Sequence, residues 1–164
     1  MERAFSAPVE IEPDEVEEVY SRARTEKWEE DWLEVFYPDQ VKPKLRALPY
    51  LWAVFPKGVY PALSGKAAIK AYEAQVAPGY VVLPDNFKLA VLSNAKPENA
   101  QASEYYVFPE NMAWIMAFTH EDYYGENAGP YFAKNKDYDK LNQKNRLKVK
   151  KKAEVEEAKR QGWL

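Results

Sequence analysis

The spacing of apolar residues changes character along the chain, and that change divides it into segments. Between residues 14 and 37 the pattern is helical. Val16, Val19, Tyr20 and Ala23 recur at intervals of three and four, as do Trp28, Trp32 and Val35. The two stripes are rotated by more than a quarter turn, so one straight helix cannot bury both. This predicts two helices, about 14–24 and 26–37, with a break near Thr25. Asp14 is the expected N-cap, with Glu17 three residues on.

Five prolines then fall between positions 38 and 61, leaving room for turns and short strands, of which "YLWAVF" (50–55) is the best candidate. Ser64 is placed to cap a helix over "GKAAIKAYEAQV", with Pro78-Gly79 beyond it. "GVYPALSGKAA" has a superficial likeness to a phosphate-binding loop. However, six residues separate Gly58 from Gly65 where that motif needs four, and Ala67 follows the lysine.

From residue 80 the period shortens. "YVVL" (80–83) and "FKLAVLS" (87–93) flank "PDN", and "EYYVF" (104–108) and "MAWIMAFT" (112–119) flank "PEN". Both pairs read as hairpins. In the last strand Trp114, Met116 and Phe118 share one face, with Ile115, Ala117 and Thr119 on the other. Both faces are apolar, which marks an interior strand. From Asp137 to Gly162 the composition is helical, with sparse apolar positions at Leu141, Leu147, Val149 and Val155. The expected fold is therefore α+β: a central antiparallel sheet, mainly residues 80–119, with the N-terminal helices packed on it. Residues 1–136 are expected to form one domain, with the charged C-terminal helix, 137–164, docked on it.

Composition narrows the chemistry. The chain has no cysteine and a single histidine, which excludes disulfides and thiolate metal sites. No metal site or cofactor is expected, since a zinc cage would have to be built mostly of carboxylates. There is no apolar run of membrane-spanning length and no signal-peptide pattern at the start, which points to a cytoplasmic protein with no membrane partner. Charge is polarised. Residues 1–40 carry thirteen acids against four bases, and residues 134–160 eleven bases against five acids. These blocks are read as solvated helix faces, able to turn toward each other, or as a surface that steers a charged partner. The basic block is interrupted by Glu154, Glu156 and Glu157, which argues against nucleic acid as that partner.

The candidate functional residues cluster after the interior strand. His120, Glu121 and Asp122 follow Thr119 at its exit and could support acid–base catalysis. The alternative reading makes His120 a structural hydrogen-bonding residue. Tyr123, Tyr124, Tyr131 and Phe132 surround the loop "GENAGP", within which Glu126 adds an acidic rim, and tyrosine on a loop suits protein recognition. The tyrosines could equally close the end of the sheet or hold a small molecule or sugar. The block "EYYVFPENMAWIMAFTHEDYYGENAGPYF", within about residues 104–133, resembles small bacterial proteins of the toxin-immunity type. That resemblance implies a protein that binds and blocks a protein partner without chemistry of its own. The leading expectation is a protein-binding function, with a small enzyme built on His120 as the alternative.

Overall fold

The computed structural model describes residues 16–36, 55, 60–84, 89–97, 105–119 and 129–163. Seven strands form one antiparallel sheet: β1 (Val16–Val19), β2 (Leu63–Ser64), β3 (Tyr80–Pro84), β4 (Val91–Ser93), β5 (Tyr105–Phe108), β6 (Trp114–Phe118) and β7 (Tyr131–Lys134). Their order across the sheet is β1-β4-β3-β5-β6-β7-β2. Among the described residues three helices accompany them: α1 (Arg22–Phe36), α2 (Gly65–Glu73) and α3 (Tyr138–Arg160). The fold is α+β with an antiparallel sheet.

Alternation along the strands sends side chains into two separate cores. One face carries Val81, Leu83, Tyr106, Phe108, Ile115, Ala117, Tyr131 and Ala133. It is covered by Trp28, Trp32 and Phe36 of α1, together with Phe55 and Tyr60. The other carries Val82, Tyr105, Val107, Trp114, Met116, Phe118 and Phe132. Ala68 and Tyr72 of α2 cover it, with Tyr138 and Leu141 from the start of α3. The hairpin β5–β6 lies between these layers, with both faces buried along every residue. Its registers, Tyr105 opposite Phe118 and Val107 opposite Met116, match the alternation read from the sequence.

The N-terminal segment departs from the two-helix expectation. Val16–Val19 is an edge strand paired with β4, and its register slips between Val16 and Glu18. Four residues apart on a regular strand, Val16 and Tyr20 would share a face. The slip turns them to opposite faces, so Val16 packs in one core and Tyr20 in the other. The result mimics helical spacing. One continuous helix then runs through Thr25. Its start is marked by the Ser21 Oγ, which accepts a bond from the Arg24 N–H at 3.1 Å. Thr25 is buried, and its Oγ1 accepts from the Ala90 N–H at 3.0 Å, while the Ala90 carbonyl accepts from the Tyr20 N–H at 2.9 Å. The helix is thereby tied to the chain entering β4. Asp14 and residues 50–54 lie outside the described residues.

α2 is shorter than the 65–76 expected, ending at Glu73. Its end is closed by Lys96, whose ammonium donates to the carbonyls of Tyr72, Glu73 and Gln75 at 3.0, 3.1 and 2.5 Å. A cation at a helix C-terminus satisfies orphan carbonyls and the helix dipole together.

Trp114 is fully buried and packs on Phe132 with centroids 5.8 Å apart. Its indole N–H has no hydrogen-bond partner among the described residues. Packing alone therefore holds it. Trp114→Ala should cost about 3–5 kcal/mol in chemical denaturation. Trp114→Phe should cost much less, because it keeps the ring contact and removes an unsatisfied donor.

Candidate functional site

One end of the sheet gathers the segments that the sequence singled out. β6 leaves the sheet after Phe118 through buried Thr119, and β7 re-enters at Tyr131 after a cis Gly129–Pro130 bond. Pro84 and Ser64, the last residues of β3 and β2, lie at the same end, as does Tyr105, the first of β5. The Gly65 N–H, opening α2, donates to the Pro130 carbonyl at 3.0 Å. The candidate residues His120, Glu121, Asp122, Tyr123, Tyr124 and Glu126 belong to the connection between β6 and β7 and lie outside the described residues.

Tyr131 and Phe132, expected on that loop, are strand residues instead. Tyr131 is buried against Phe55, with centroids 5.8 Å apart, and Phe132 stacks on Trp114. The glycines and proline hid where the strand begins. With Phe132 alternating into one core and Tyr131 and Ala133 into the other, "YFA" follows a strand pattern too short to stand out.

Three surfaces are defined among the described residues. The first is the outer side of α1. Its tryptophans face inward, leaving Arg22, Glu26, Glu30 and Glu34 exposed in one row at intervals of four. Glu29 beside them is partly buried; desolvation pushes its carboxyl pKa up, and the Glu26 charge adds to the shift. Lys27 bridges Asp31 at 2.6 Å, an exposed pair of little energetic weight.

The second surface is α3. Its first turns are held by a polar seam at the opposite end of the sheet from the β6–β7 connection. Asn111, in the β5–β6 turn, donates to the Leu141 carbonyl at 3.1 Å and accepts from Asn145 at 3.3 Å. Asn142 donates to the Tyr138 hydroxyl, which donates to Gln75, each at 3.1 Å. Asn142 and Asn145 are buried, a contact that hydrophobic periodicity could not reveal. Beyond Asn145 none of the described α3 residues is buried, and Leu147 is 59% exposed. The helix closes with a left-handed Gly162 (φ 79°), Gly162 N–H to Lys159 O at 3.1 Å and Trp163 N–H to Ala158 O at 2.9 Å, a Schellman ending.

The third is a groove of about 360 Å³ lined by Pro61, Ala62, Leu63, Phe132 and Lys134, beside edge strand β2. Its described lining side chains are apolar but for Lys134. Among the described residues no group of three or more His, Cys, Asp or Glu converges as a metal cage, and no helix is long and apolar enough to cross a membrane.

Comparison with protein-family models, with curated proteins and with solved structures returns no match.

The buried tyrosines give the fold an alkaline limit. Burial, with the charges of Glu110 and Glu18, raises the Tyr20 pKa to about 12, and burial raises those of Tyr60 and Tyr80. A folded-state pKa above the ordinary value of about 10 means that the folded chain holds the proton more tightly. The stability this confers is complete below about pH 10 and is lost as pH rises toward 12. Denaturation midpoints measured from pH 9 to 12 should fall across that window, and Tyr20→Phe should flatten the fall.

Proposed function

We propose that the chain acts by binding a protein partner that presents a basic surface, working in the cytoplasm as a neutralising protein of the toxin-immunity type. The observation that carries this reading is the acidic row Glu26, Glu30 and Glu34 on α1. The inner side of the helix is committed to the core through Trp28, Trp32 and Phe36, so the row is presented on a rigid support. Complementary charge accelerates encounter and selects partners more than it adds affinity.

In the same reading the contact itself is supplied by Tyr123 and Tyr124, with Glu121, Asp122 and Glu126 as an acidic rim. Tyrosine offers large contact area at small entropic cost. The likeness of residues 104–133 to immunity-type proteins supports blocking as the outcome of binding, and His120 has a structural part in this scheme.

The test begins with co-purification of the chain with the product of the adjacent gene, followed by binding kinetics. Tyr123→Ala and Tyr124→Ala should each weaken binding by about 2 kcal/mol or more without lowering the melting temperature. His120→Ala should be mild. The association rate should fall as ionic strength rises past about 0.15 M, where the Debye length is about 8 Å. An association rate indifferent to salt, or tyrosine variants that bind like the parent, would refute the reading.

A further inference from the structure

The sheet keeps the two charged helices apart. α1 packs on the face carrying Ile115 and Ala117, and the first turns of α3 on the face carrying Trp114 and Met116. The acidic row and the docked first turns of α3 in one molecule therefore lie on opposite sides of the sheet and its two cores. Their sequences nevertheless match. On α1, Arg22, Glu26, Glu30 and Glu34 stand four residues apart, all exposed. On α3, Lys144, Lys148, Lys152 and Glu156 stand four residues apart, all exposed. Both rows step by about 6 Å along their helices.

Laid antiparallel, the rows put Glu34 opposite Lys144, Glu30 opposite Lys148, Glu26 opposite Lys152 and Arg22 opposite Glu156. All four positions are of opposite sign, including the one where each helix reverses its charge. A parallel arrangement that keeps the three acid–lysine pairs brings Arg22 onto Lys140 instead. Apolar residues flank the basic row: Leu147 and Val155, three residues on from Lys144 and Lys152, are 59% and 37% exposed. On α1, Leu33 holds the equivalent place three residues on from Glu30 and is only partly buried. A contact between the rows would cover these side chains as well as neutralise the charges.

We infer that α3 of one molecule docks antiparallel on α1 of a second copy, through these four charge pairs. The contact joins two different surfaces, so it is heterologous and leaves each molecule with one unused half. It is built of exposed charges, which makes it weak and sensitive to salt. This inference goes beyond the partner-binding reading, because it needs no other protein.

Sedimentation of the full chain alone, across a dilution series at about 0.01 M ionic strength, where the Debye length is about 30 Å, tests it. The weight-average mass should climb above the 19.0 kDa monomer with concentration and return to it at about 0.5 M salt. Glu30→Lys and Lys148→Glu should each weaken association roughly tenfold. The double variant, and an equimolar mixture of the two single variants, should recover it. Both side chains are exposed, so melting temperature serves as the folding control. A monomer at every concentration in low salt, a mass indifferent to both substitutions, or a double variant that fails to recover overturns the inference. A chain that stays monomeric yet binds a basic partner leaves the partner-binding reading standing.

Discussion

Burial of the β5–β6 hairpin on both faces is the constraint from which the architecture follows. An antiparallel sheet commonly leaves one face wet, so its strands need only one apolar side. Here Tyr105, Tyr106, Val107 and Phe108 are all within 1% of full burial, as are Trp114, Ile115, Met116 and Ala117. Such a hairpin cannot be stable under a single layer of helix. It requires cover on both sides, and α1 and α2 meet that need with large rings, Trp28 and Trp32 on one side and Tyr72 on the other. Tilted and edge-on ring contacts, such as Trp28–Phe108 at 5.5 Å and Tyr72–Trp114 at 5.8 Å, fill the layers.

The third helix is attached on different terms. α3 adds only Tyr138 and Leu141 to the apolar core, and Asn111, Asn142 and Asn145 bond the rest of its contact. The turn that offers Asn111 ends in Met112, held at φ 55° with its side chain buried. The Asn135 side chain donates to the Met112 carbonyl at 3.0 Å, and its N–H to the Ala113 carbonyl at 2.9 Å. Polar anchoring fixes direction without demanding a long apolar stripe. That is why a 23-residue helix can be held by its first two turns and stay charged along the remainder.

How much of this could be read in advance depended on whether a segment obeys one period. The sheet hairpins were legible because both faces of each strand are apolar and Pro-Asn turns separate them. The wrong expectation at residues 14–24 came from the edge strand, where the register slip lets Val16 and Tyr20, four apart, pack in opposite cores, while Val19 between them is exposed. Ser21 was the available signal, a capping residue just before Arg22, but the tryptophan stripe drew the boundary to Thr25. Tyr131 and Phe132 read as loop residues for a related reason. Four residues of strand, two of them aromatic, look the same as an aromatic loop until the partner strand is known. The core residues Asn142 and Asn145 were illegible, since a buried asparagine is recognised by its hydrogen-bond partner and not by its hydropathy.

Opposite charge blocks in one chain invite the thought that they neutralise each other on folding. For α1 and the docked start of α3 the sheet prevents this. By taking α1 on one face and the first turns of α3 on the other, it places two cores between them, and a charge separation that is only sequential in the unfolded chain becomes spatial in the folded one. Screening completes the effect, for at physiological ionic strength charges farther apart than about 8 Å scarcely interact. Each helix therefore presents its charge outward, to whatever approaches that side. The same buried strands that stabilise the molecule also make it electrically two-sided, so the fold and the binding behaviour proposed for it rest on a single feature, the double burial of the β5–β6 hairpin.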